Sequence, residues 1–215
     1  MRPPMFRNRR RRAIDAAAGL VLAALLSACR FDGVPTGALP EAARPGDGAP
    51  SPASPLPAGR DMQATLRAWA DYCSAGAADC DARPEVVMMT PRLWTLLRTV
   101  QHRVNAAHPF VAEPLGSDAW RTLLPGEPGD CEDLALTKRA QLIATGVPAG
   151  ALRPATCRLR GTLFAPGDGH AVLTVETDLG TYVMGVEGDP VPWDASECDS
   201  WGYRWAGPTW ESLRG

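Results

Sequence analysis

The hydrophobic pattern of this chain changes period once, near residue 146, and that change limits the folds open to it. Upstream, apolar residues recur at helical spacing, first through Leu66, Trp69 and Ala70 and then through Leu93, Trp94, Leu96, Leu97 and Val100. Downstream they alternate, along Ala151 to Leu159, His170 to Glu176 and Thr181 to Glu187, with a turn at Asp178, Leu179 and Gly180. The first spacing buries one stripe of a helix and the second one face of a strand. Helices followed by an antiparallel sheet predict an α+β domain with its helices packed on that sheet. Thr90-Pro91 predicts a cap with proline at the first helical position, opening a helix to about Ala106. A third helix is predicted from Asp130 to Thr145, with Pro128-Gly129 breaking the chain before it and Gly146 ending it. Asp130 is placed to cap that helix and Asp133 to complete a capping box.

The N-terminus reads as an export signal. Arginines at 7 and 9 to 12 precede an apolar run from Ala16 to Leu26 that closes in Leu26-Ser27-Ala28-Cys29. A span needs roughly 20 apolar residues, and this run is shorter. Small residues before a cysteine predict cleavage after residue 28 and lipid attachment at Cys29. Arg30 gives no inner-membrane retention cue, so the expected location is the periplasm, anchored to the outer membrane. Residues 29–60, rich in Pro, Ala, Gly and Ser, predict an unordered tether, because little there can offset the entropy of ordering. Residues 61–215 are then one domain.

Removal of residues 1–28 leaves 16 Lys plus Arg against 23 Asp plus Glu, about −7. No basic stripe remains to neutralise phosphates, which excludes nucleic acid as a partner. In an oxidising compartment the five remaining cysteines, Cys73, Cys80, Cys131, Cys157 and Cys198, leave one thiol over. Cys73 and Cys80 make the easiest bridge; Cys157 and Cys198 could form a second, leaving Cys131 free. No C-x-x-C and three scattered histidines give no zinc pattern.

Cys131 falls at the first turn of a helix, where unpaired N–H groups favour a thiolate. His170 is the histidine of the strand region, placed to accept and return a proton. A free cysteine at a helix start and a strand-initial histidine predict nucleophile and base.

These residues resemble a known family, the bacterial transglutaminase-like cysteine proteinases, which includes the LapG-type periplasmic adhesin-releasing proteases. The resemblance runs from about Tyr72 to Leu213. It is carried by the run from Gly129 to Arg139, where the family places its nucleophile at the position of Cys131, and by the run from Gly169 to Val175, where it places its histidine at that of His170. The resemblance implies a papain/transglutaminase-like core and a periplasmic endopeptidase acting on a protein or peptide substrate. It implies no organic cofactor and leaves room for a regulatory protein. It also implies calcium at the residues matching Asp130, Glu132 and Asp133, whose charges would otherwise oppose thiolate formation. The alternative use of those acids is helix capping.

The family carries an Asp on the strand after the histidine, and here Gly185 stands at that position. Glycine can orient nothing, so a catalytically degenerate binding or regulatory lipoprotein is a competing expectation. Transglutaminase- or amidase-type acyl transfer is another, since the same Cys/His pair supports it. If Glu176 pairs with Thr181, position 170 lies opposite 187, and Glu187 becomes the expected substitute acid, ahead of Asp189 in its Gly-Asp-Pro turn. Asn105 and Trp120 are expected to be core and loop packing groups, with an oxyanion or substrate-wall role the alternative. The same choice applies to Trp193, Trp201, Trp205 and Trp210.

Overall fold

The computed structural model describes residues 50–57, 60–62, 67–76, 79–113, 119–161 and 169–213. The chain divides into two units, 1–42 and 43–215, and all described residues belong to the second. The export signal, Cys29 and the tether up to residue 49 lie outside the described residues.

Helices α1 (Arg67–Ser74), α2 (Pro91–Ala107) and α3 (Cys131–Ala144) precede most of a seven-stranded sheet. The strands are β1 (Arg60–Met62), β2 (Leu152–Leu159), β3 (Gly169–Thr177), β4 (Gly180–Met184), β5 (Val191–Pro192), β6 (Cys198–Trp205) and β7 (Trp210–Ser212). They lie in the order β1-β7-β6-β2-β3-β4-β5, every pairing antiparallel. Thr90 caps α2 as expected, its hydroxyl accepting from Leu93 N at 3.1 Å.

The main core lies between α2, α3 and the sheet. Leu97, Val100 and Val104 meet Leu134, Ala135 and Leu142, and these rest on Leu152, Leu173, Val175 and Met184. Each fully buried aliphatic side chain there is worth about 1.5–3 kcal/mol. A second cluster gathers Trp69, Leu136, Trp205 and Trp210 beside the Cys73–Cys80 disulfide. Trp120 stands edge-on to Trp69 and Trp210, with ring centres 6.4 and 6.0 Å away. Trp120, Trp205 and Trp210 are therefore packing groups. Trp193 and Trp201 stay half-buried against the cluster that contains Cys157 and Cys198.

Helix α3 departs from a simple amphipathic pattern. All eight residues from Glu132 to Arg139 are buried, five of them polar or charged. Burial of this kind is tolerated only where polar atoms find partners. Arg139 shows how: its guanidinium donates to the carbonyls of Leu152 and Asp79, each at 3.0 Å, and lies 4.9 Å from the Trp205 ring centre.

The end of the expected tether is ordered. Residues 50–57 lie along the β3–β4 hairpin, with Ala53 N donating to Leu179 O at 2.9 Å and Thr181 N to Ser54 O at 3.1 Å. Leu56, 4% exposed, donates its N–H to Thr181 Oγ1. Gly180 makes the close approach possible: a Cβ there would stand 2.4 Å from the Ala53 carbonyl. The unordered reading of residues 29–60 is thus corrected at this end, because unpaired hairpin backbone groups hold a segment that has little apolar surface of its own.

Candidate active site

Gly129 and Phe110 form a short parallel bridge just before α3, with Val111 N donating to Gly129 O at 2.9 Å. The loop from Ala107 onward is thereby fixed against the start of the helix. The expected capping box does not form. Asp130 occupies the cap position without a side-chain cap bond. Its Oδ2 accepts from Glu113 N at 3.4 Å, and Asp133 Oδ1 accepts from Arg121 N at 2.9 Å. Both carboxylates therefore anchor the preceding loop. Their other oxygens, Asp130 Oδ1 and Asp133 Oδ2, are buried with no hydrogen-bond partner, although the Arg121 guanidinium lies 3.5 Å from Asp133 Oδ2. Burial, the largest influence, raises the Asp133 carboxyl to about 6, against the opposing effect of Arg121.

Cys131 opens α3 as the free thiol among the described cysteines, since Cys73–Cys80 and Cys157–Cys198 are both disulfides. Its Sγ accepts from the backbone N–H of Ala171 at 3.3 Å, which sets the sulfur against the residue after His170 on β3. The thiol proton is directed elsewhere, to Glu132 Oε2 at 3.1 Å. Burial pushes this thiol up to about 12; the Glu132 charge and hydrogen bond add to the rise, and the Ala171 N–H opposes it. In this arrangement the sulfur is beside the histidine strand but protonated.

His170 is buried at 6% exposure and faces Cys157 across the β2–β3 ladder. Its Nε2 lies 3.4 Å from Glu197 Oε1. Burial pushes the Glu197 carboxyl up, but its hydrogen bond with His170 and the charges of His170 and Lys138 outweigh that and hold it below the ordinary carboxylate range. The ring's Nδ1 has no partner among the described residues.

Register alone does not bring Glu187 to the histidine. Glu176 pairs with Thr181, as expected, but the β3–β4 ladder ends at Leu173–Met184, and position 187 is exposed in the bend beyond it. The expected contact is corrected to Glu197, which reaches the ring from just before β6. Asp189 turns away to Arg98 at 3.0 Å and His102 at 2.6 Å. Gly185 sits where the carboxylate needs room: a Cβ there would be 1.7 Å from Glu197 Oε1. Its carbonyl accepts from the Lys138 ammonium and from Gln101 Nε2 at 3.0 Å. Asn105 Oδ1 is buried without a hydrogen-bond partner.

The family model of the bacterial transglutaminase-like cysteine proteinases matches residues 60–205, which include the free cysteine, the histidine and Glu197. The chain belongs to this family. It is a bacterial transglutaminase-like cysteine proteinase in kind, with an α+β fold of helices on an antiparallel sheet. Among solved structures, calcium-bound LapG of Legionella pneumophila aligns at TM-score 0.49 and 21% identity, over 60% of this chain and 74% of that one. The EGTA-treated form of LapG aligns at TM-score 0.48 and 21% identity, over 60% and 70% of the two chains. A third LapG structure gives TM-score 0.45 and 22% identity, over 58% and 71%. A search of proteins with curated function finds no match.

In this proteinase the structure brings the expected Cys131 and the strand of His170 together, and it adds a contact between His170 and Glu197 that the sequence did not suggest. The signal for it was Cys198: a half-cystine paired to the residue opposite His170 brings its neighbour to the histidine as well.

Proposed function

We propose that the chain is an exported cysteine endopeptidase in which Cys131 attacks a peptide carbonyl and His170 moves the proton. The observation that carries this is the free Cys131 at the start of α3, its sulfur held by the N–H of the residue after His170 while the other four described cysteines are paired. His170 Nδ1 takes the thiol proton, the sulfur forms an ester-like bond to the acyl carbon, and the leaving amine receives that proton. Water, deprotonated by the same nitrogen, then cleaves the thioester and frees the thiol. Unpaired N–H groups of the first turn of α3 are the natural stabilisers of the oxyanion. The two disulfides support an oxidising compartment, and the export signal read in the sequence supports a mature chain in the periplasm, anchored to the outer membrane by a lipid on Cys29. Its substrate is a protein or peptide.

Calcium fits the acids beside the nucleophile in donor chemistry. Among the described residues no group of three or more His, Cys, Asp or Glu side chains is arranged to hold a metal ion. Buried carboxylate oxygens without a hydrogen-bond partner nevertheless stand on Asp130 and Asp133, the latter 3.5 Å from the Arg121 guanidinium, and hard cations take such oxygens together with backbone carbonyls and water. Asp130 and Asp133 would hold the ion, joined by Glu132 once it leaves the thiol. When bound, the ion supplies positive charge that favours a thiolate. The test is digestion of a peptide library by the full chain with and without calcium, read by mass spectrometry. Cleavage lost in both Cys131→Ala and His170→Ala is expected; cleavage that survives either substitution, or none under any condition, overturns the reading.

A further inference from the structure

We propose that Glu197 is the positioning acid of the Cys131–His170 pair, delivered from the start of β6 into the space left by glycine at 185. The proposal rests on the reading of Cys131 and His170 as the reacting pair and concerns how that pair is held. On the family pattern, glycine at 185 removes the third group. The geometry shows a different arrangement: a Cβ on residue 185 would meet Glu197 Oε1 at 1.7 Å, Cδ at 2.6 Å and Oε2 at 2.9 Å. A side chain at 185 and the present Glu197 carboxylate therefore exclude one another. One volume beside the imidazole is filled from the residue before β6 in place of the residue after β4, and glycine at 185 is the condition for it.

The mount is built for that purpose. Glu197 directly precedes Cys198, whose disulfide partner Cys157 is the cross-strand neighbour of His170. One cystine thus ties acid and base to the same point of β2. Arg160 braces the segment, its backbone N–H donating to Glu197 O at 2.7 Å and its guanidinium to the carbonyls of Ser196 and Cys198, each at 3.3 Å. The backbone opposite is also fixed, because the Gly185 carbonyl accepts from Lys138 and Gln101. The Lys138 charge also acts favourably on the Glu197 carboxylate.

The chemical consequence is a chosen tautomer. A carboxylate at Nε2 accepts that nitrogen's hydrogen and leaves Nδ1 as the basic site. When Nδ1 takes the thiol proton, the ring becomes imidazolium and the adjacent negative charge steadies it. Glu197 itself keeps its charge throughout, and no proton passes to it.

The test uses the full chain and two readouts: the rate at which a peptidyl vinyl sulfone labels Cys131, and the ¹⁵N signals of the His170 ring, which distinguish the Nε2–H from the Nδ1–H tautomer. Glu197→Ala should slow labelling by about tenfold or more and mix the tautomers, as loss of the third group does in related triads. Glu197→Gln, which can still accept from Nε2–H, should retain the tautomer and much of the rate. Gly185→Asp in the Glu197→Ala background should recover both, because it returns a carboxylate to the vacated volume. Glu197→Ala that labels at the wild-type rate with unchanged ring signals overturns the proposal, as does a folded double variant no better than Glu197→Ala. If His170→Ala also labels like the wild type, the underlying Cys/His reading fails as well.

Discussion

Glu132→Gln should make Cys131 more reactive when calcium is absent. The thiol donates to Glu132 Oε2 at 3.1 Å, and Glu132 is only 8% exposed. At that distance even full water screening leaves about 1.3 kcal/mol of repulsion between thiolate and carboxylate, about one unit of thiol pKa, and burial makes the true value larger. Lower basicity also makes a thiolate less nucleophilic, with a Brønsted slope of about 0.4–0.5, so each unit returns only about a threefold gain in rate. Alkylation of Cys131 by iodoacetamide at pH 8 with a chelator present, read by peptide mapping, should rise by at least about threefold in Glu132→Gln. The disulfides keep the other four described cysteines out of the measurement. A variant that alkylates at the wild-type rate or more slowly across pH 7–10 would mean that this carboxylate is not what holds the proton on sulfur.

Calcium should raise the melting temperature of the wild type, and Asp130→Asn with Asp133→Asn should abolish the rise; unchanged melting in the wild type removes the site. Burial lowers Lys138 to about 7 from its ordinary 10.5, so the unfolded chain binds the extra proton between those values and stability should increase with pH through that window. Lys138→Met should flatten that slope in thermal melts, and an unchanged slope would assign it to other groups. Replacing Cys157 and Cys198 together by Ser should slow vinyl sulfone labelling while simple alkylation of Cys131 persists, provided circular dichroism shows the fold intact; equal labelling before and after would mean that the cystine does not hold Glu197 in place.

Long, periodic elements were legible in the sequence. The strands expected at Ala151–Leu159 and His170–Glu176 appear as Leu152–Leu159 and Gly169–Thr177, because alternation over that length has one solution once a face is buried. The strand expected at Thr181–Glu187 begins one residue earlier and stops at Met184, where the chain bends away. Strands β1, β5 and β7 have two or three residues each, too short to show a period. In β6, Trp201, Tyr203 and Trp205 alternate, yet the sequence reads there as packing tryptophans and not as a strand.

At the site, local chemistry was legible and tertiary replacement was not. A free thiol at a helix start and a histidine at a strand start can each be read from near neighbours. The capping box at Asp130 and Asp133 was a reasonable local pattern, but backbone donors of the preceding loop, Glu113 N and Arg121 N, hold those carboxylates instead. Glu197 lies 27 positions from His170, and its approach depends on a disulfide and on an absent side chain at Gly185. No sequence period records either.

The most direct measurement is the intact mass of the full chain after exposure to a peptidyl vinyl sulfone, which needs thiolate and imidazole together, in wild type and in His170→Ala. One adduct, mapped to Cys131 and absent from His170→Ala, is the expected result. An adduct that forms equally well without the imidazole, or a wild-type thiol that iodoacetamide alkylates but the vinyl sulfone never labels, would contradict the account.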